Sequence, residues 1–242
     1  MQYIYDISVW LHVSFGMLTL ILFWSQAFIT KGSNRHITLG RMYIISGVIV
    51  SLSSIYSILY QAITTISAGK QLLLSNSDFA FALVLGFISI VVLLILHRGY
   101  SAAKQVESTS HVNVRAMYIR LILSFCATII MVGLILFVNS YWQVIFILTA
   151  LLGTKITIDE AYILRNHVTF NAGDWTAEHF RGMIGAGLAF HVAFGINGFL
   201  ILDSLISYQQ TIGLLIIVLP LILGIPAEML LRRKYKTKRS EI

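Results

Sequence analysis

The feature that most constrains this chain is a succession of long, uninterrupted apolar runs separated by short polar connections. A run of about 20 residues at 1.5 Å per residue spans a hydrocarbon core of about 30 Å. Seven such runs predict an all-α polytopic transmembrane bundle, with helices over 7–29, 38–65, 78–97, 113–138, 142–164, 178–205 and 210–232. A membrane barrel would show alternating segments of about ten residues instead. Charged residues make up 11% of the 242 positions, against about 25% in a soluble domain, too few to coat a surface in water. The expected organisation is one membrane domain over 1–232 followed by a basic tail, 233–242.

The basic residues decide the orientation and argue against a nucleic-acid partner. With seven helices, one side receives Lys31, Arg35, Arg41, Arg98, Lys104, Arg115, Arg120, Lys155, Arg165 and Arg181. It also receives the six in the tail between Arg232 and Arg239, while the other side receives only Lys70. The positive-inside rule makes the rich side cytoplasmic and places the N-terminus outside. Trp10, Tyr141 and Trp142 then fall at the outer interface, and Trp24 nearer the inner one. The tail is expected to meet anionic lipid headgroups. The first run lacks a basic leader and a small-residue cleavage site, so it reads as a retained helix. The single cysteine, Cys126, is expected to pack as a small hydrophobe. With no disulfide framework, a bacterial inner (plasma) membrane is the expected location.

Two histidines fall inside apolar runs, His12 in helix 1 and His191 in helix 6. An ionisable side chain at such depth faces protein or a water-filled cavity. His12-Val-Ser-Phe-Gly16 and His191-Val-Ala-Phe-Gly195 differ at one position, and His36-Ile-Thr-Leu-Gly40 repeats the spacing. Seventeen glycines in 242 positions place one four residues after a given histidine about 7% of the time (17/242), yet three of seven histidines have one. On a helix the fourth residue lies one turn away on the same face, so glycine there leaves a gap beside the imidazole. A neighbouring helix or a flat macrocycle fits such a gap. Packing, axial haem ligation and a proton relay or substrate contact are the three readings. A zinc site is disfavoured, because no His-x-x-x-His or His-Glu-x-x-His pair lies on one helix.

Charges also lie within the helices. Lys155 and Asp159 share a face at i,i+4 and predict an intrahelical ion pair. Glu160, Arg120, Arg181 and Glu228 project to depths within the cytoplasmic half. Several can snorkel; together they predict a polar, cytoplasm-facing cavity among helices 4 to 7, where Pro220 and Pro226 weaken helix 7. The serines of helix 2 and the glycines of helix 6 mark those two helices as central.

The segments Leu11-His12, Arg35-His36-Ile37-Thr38-Leu39-Gly40-Arg41-Met42-Tyr43 and Ser110-His111-Val112-Asn113-Val114-Arg115-Ala116-Met117-Tyr118 carry a resemblance. Over about residues 10–131 the chain resembles the family of polytopic membrane proteins catalogued as domain of unknown function 2306. The resemblance implies a four-helix membrane module with histidines at the entries of helices 2 and 4, and supplies no activity.

The leading expectation from these residues is a haem-b electron-transfer protein. In it His12 and His191 serve one haem and His36 and His111 another. Gly16, Gly40 and Gly195 give the porphyrin room, and Arg41 and Arg115 neutralise propionates. The alternatives are a proton-coupled small-molecule transporter using Lys155, Asp159, Glu160 and Glu228, and a non-catalytic membrane subunit. Catalytic residues are not assigned.

Overall fold

A computed structural model describes residues 2–69, 77–107, 112–138 and 140–202, together with 222, 226 and 230. Six α-helices occur among them: α1 (Gln2–Phe28), α2 (Asn34–Ser67), α3 (Ser77–Glu107), α4 (Val114–Leu134), α5 (Ser140–Asn166) and α6 (Ala172–Leu202). Short 3₁₀ segments follow α4 at Ile135–Phe137 and α5 at His167–Thr169. No strand occurs among the described residues. The all-α expectation holds, and the helices run longer than predicted at several ends.

Helix boundaries follow local chemistry. Gly32 takes φ +78° in the turn between α1 and α2, a left-handed conformation that glycine adopts without penalty. Ser33 Oγ then accepts the His36 amide at 3.2 Å, opening α2. Asn113 Oδ1 accepts the Ala116 amide at 3.1 Å at the start of α4. At α6 the cap is reciprocal: Asn171 Oδ1 accepts from the Asp174 amide at 2.9 Å, and Asp174 Oδ2 accepts from the Asn171 amide at 3.0 Å. Each such cap satisfies an amide that no helical carbonyl reaches.

Among the described residues, four helices are long and apolar enough to cross a membrane: Gln2–Phe28, Asn34–Ser67, Phe79–Val106 and Val114–Phe137. That is fewer than the seven predicted. α5 carries Lys155, Asp159 and Glu160 in its C-terminal half. The described side chains of α6 end at Phe194, before most of its apolar C-terminal part. The predicted seventh helix, the tail and Lys70 lie outside the described residues, apart from Ile222, Pro226 and Leu230, which are helical.

The chain divides into two compact units. The first comprises Met1–Val13, Val48–Leu94 and His111–Thr169. In it α4 and α5 form an antiparallel hairpin with Phe146 and Ile163 fully enclosed. Gly153 of α5 has no room for a side chain, because an added Cβ would lie 2.4 Å from Thr128 Oγ1 and 2.9 Å from Phe87 Cζ. The second unit comprises Ser14–Gly47, Ile95–Ser110 and Phe170–Ile242. Its described core centres on Tyr43, Leu96, Ala186 and Phe190, with the Tyr43 hydroxyl donating to the Met183 carbonyl at 3.2 Å. Here α3 and α6 touch backbone to backbone: a Cβ on Gly182 would lie 2.6 Å from Gly99 Cα.

Ser46, Ser51, Ser53 and Ser54 of α2 are all buried, and Ser46 and Ser53 meet Thr19 and His12 of α1. α3 is nonetheless the most enclosed of the four apolar helices, which its uniformly apolar sequence did not reveal. Cys126 is exposed on α4 rather than packed.

Candidate functional site

The first unit holds the least expected arrangement of charge. Arg120 of α4 and Glu160 of α5 meet at 2.8 Å, Nε to Oε2, with side chains 5% and 0% exposed. Hairpin geometry brings them level. The two helices are antiparallel and turn near residue 140, and each residue stands twenty positions from that turn. The sequence placed both charges at depth but assigned Glu160 to a group with Lys155 and Asp159. Counting outward from the turn would have found the true partner. Lys155 and Asp159 form the predicted i,i+4 pair at 2.9 Å, 42% and 15% exposed. A pair so open contributes a few tenths of a kcal/mol at most. Glu228, the remaining member of the group, lies outside the described residues.

Between α1 and α2 the same unit carries a polar seam. Ser8 Oγ donates to the Ser53 carbonyl at 3.0 Å and lies 3.3 Å from Ser57 Oγ. His12 Nδ1 lies 3.1 Å from the Val50 carbonyl and 3.4 Å from Ser53 Oγ. A carbonyl only accepts, so this nitrogen carries the proton and Nε2 is left with a lone pair. Toward the chain start, Tyr60 Oη donates to Gln2 Oε1 and Gln61 Nε2 to Tyr5 Oη, both at 3.1 Å. The rings of Tyr5 and Tyr60 stack with centroids 4.8 Å apart.

The second unit contains the other described histidines that the sequence singled out. His191 has both nitrogens engaged: Nδ1–H donates to the Gly187 carbonyl at 2.7 Å, and Nε2 accepts from Trp24 Nε1–H at 2.9 Å. Phe23 packs edge-on against the same imidazole and fills the space beside Gly187. His36 buries Nδ1 without a hydrogen-bond partner. It lies within electrostatic reach of Lys31 and His179. His179 Nδ1–H donates to the Gly99 carbonyl at 2.9 Å. Lys31 donates to the Gln26 carbonyl, and partial burial holds its ammonium pKa below the usual lysine value. Glu178 and Arg181 form a second buried ion pair at 2.6 Å within α6.

The structure places the expected histidines one by one. His12 belongs to one unit and His191 to the other, each with its own partners. His111 lies outside the described residues, and the neighbour found for His36 is His179. Gly16 and Gly40 do have open space beside them, with nothing within 4 Å of an added Cβ. The side chains around Gly195 are outside the described residues, and Arg41 and Arg115 are exposed. Among the described residues no cluster of three metal-ligating side chains occurs.

No family model, characterised protein or solved structure matches this chain.

Proposed function

We propose that the chain is a membrane transporter that moves a small carboxylate together with a proton, with Arg120 and Glu160 at its centre. The observation that carries this is their fully buried ion pair. Such a pair stabilises poorly, because desolvating both charges offsets most of their attraction and apolar residues of equal volume do as well. A guanidinium that rests against one carboxylate is already shaped to receive another. When a substrate carboxylate takes its place on Arg120, Glu160, buried and released from the guanidinium, takes up a proton. One substrate molecule and one proton then cross together.

In this reading the helices cross a bacterial inner membrane seven times, with the N-terminus outside and the tail on anionic lipid. The sixteen-to-one division of basic residues supports that orientation. The test is solute-driven proton movement in proteoliposomes, with Glu160→Gln as the control.

A second reading, haem-b electron transfer, is favoured by one detail. His12 and His179 each fix Nδ1–H on a backbone carbonyl, which is how an imidazole is held when Nε2 binds a metal. His36 offers a third imidazole beside His179. His191 does not fit as it stands, since Trp24 occupies its Nε2. If the reading holds, protein purified after expression with a haem precursor shows a sharp reduced α band that His179→Ala removes. A colourless preparation would exclude it.

A further inference from the structure

The turn between α1 and α2 carries positive charge with no local compensation. Lys31, Arg35 and Arg41 stand in a stretch, residues 7 to 77, that contains no aspartate or glutamate. All three are exposed, and among the described residues no carboxylate pairs with them. The turn joins two helices apolar enough to cross a membrane, which sets it at the level of lipid headgroups. Exposed basic residues there serve orientation and need nothing more.

The second unit nonetheless sets more polar groups beside the turn. His36, in the first turn of α2, buries Nδ1 with no hydrogen-bond partner. Lys31 and His179 lie within electrostatic reach of His36 and of each other. His179 ties its Nδ1–H to the Gly99 carbonyl at 2.9 Å, so its Nε2 keeps a lone pair. Near the end of α1, Gln26 gives its backbone carbonyl to Lys31, while both polar atoms of its side chain are buried and unbonded. Burying polar groups unpaired is costly, and orientation of the chain does not ask for it.

We infer that Lys31, His36 and His179, with Arg35 at the rim, form a site for a phosphate group that still carries a proton, as a monoester or free phosphate does. Lys31 and Arg35 supply positive charge. His36, in the tautomer with its proton on Nδ1, donates to a phosphate oxygen. His179 Nε2 accepts from the P–OH. About half of phosphate monoesters keep that proton near pH 6, whereas a phosphodiester or sulfate has none to give. A metal ion fits less well, because Lys31 repels it and among the described residues no third ligand joins the imidazoles.

The inference does not rest on carboxylate transport. The full-length chain in neutral detergent near pH 6 is titrated calorimetrically with inorganic phosphate and with sulfate. Parallel titrations use dioctanoyl phosphatidate, a monoester, and dioctanoyl phosphatidylglycerol, a diester. The proton-bearing member of at least one pair is expected to bind at least about tenfold tighter than its partner, the effect of one hydrogen bond to a charged group. Lys31→Gln and His36→Ala should each weaken that binding by a similar factor. Lys31→Arg, which keeps the charge, should retain most of it.

Lys31 is exposed, so Lys31→Gln tests the site even where His36→Ala does not fold. Selective binding of phosphatidate alone supports a lipid-headgroup site, and selective binding of inorganic phosphate a site open to soluble monoesters. Equal binding within both pairs, binding undiminished in Lys31→Gln, or no binding of either proton-bearing phosphate overturns the inference.

Discussion

Glu160→Ala is expected to destabilise the folded chain by about 3–5 kcal/mol, the cost of leaving a buried charge without its partner. The Arg120 side chain is 5% exposed. The substitution also removes the acceptor of the Arg120 Nε–H bond at 2.8 Å. Replacing both partners, Arg120→Met with Glu160→Leu, removes both charges at once and fills nearly the same volume. That double variant should unfold within about 1 kcal/mol of wild type, or above it. Thermal unfolding in detergent followed by size exclusion reads the difference. A double variant as unstable as the single one would mean that the pair holds the hairpin together, and the case for a functional role would weaken.

Gly182→Ala is expected to cost about 1–3 kcal/mol, and Gly182→Leu to prevent folding, through overpacking. The added Cβ meets Gly99 Cα at 2.6 Å, Gly99 N at 2.7 Å and the Ile95 carbonyl at 2.8 Å. All three are backbone atoms on α3, so no side-chain rotation relieves the clash. Gly16→Ala and Gly40→Ala meet nothing within 4 Å. They should be neutral or stabilising by up to about 1 kcal/mol through helix propensity. The same unfolding assay separates the two groups, and equal effects at Gly182 and Gly40 would contradict the close crossing of α3 and α6.

What the sequence showed clearly were the properties carried by neighbours along the chain. The apolar runs predicted the helices, and the i,i+4 spacing predicted the Lys155–Asp159 pair. Contacts across a short hairpin were legible in principle. Residues equidistant from the turn lie level, as with Arg120 and Glu160 about residue 140, or His12 and Val50 about residue 31. Contacts between helices distant in sequence carry no such rule. Nothing local in Trp24 indicates that its indole caps His191, and nothing in His179 indicates that it reaches the Gly99 carbonyl. Nor do the matching pentapeptides indicate what holds each imidazole, the Val50 carbonyl for His12 and the Gly187 carbonyl with Trp24 for His191. Seventeen glycines also looked alike in the sequence. Only packing distinguishes Gly182, pressed against backbone, from Gly40, which stands open.

The most direct test of the transport reading uses proteoliposomes loaded with a pH-sensitive dye and given an outward-to-inward gradient of succinate or glutamate, both poorly permeant. The account predicts that the wild-type chain acidifies the lumen with at least one of them. It also predicts that Glu160→Gln, which keeps a hydrogen-bond acceptor for Arg120 but cannot take up the proton, abolishes the response. No acidification with either carboxylate, or an undiminished response in Glu160→Gln, would contradict it.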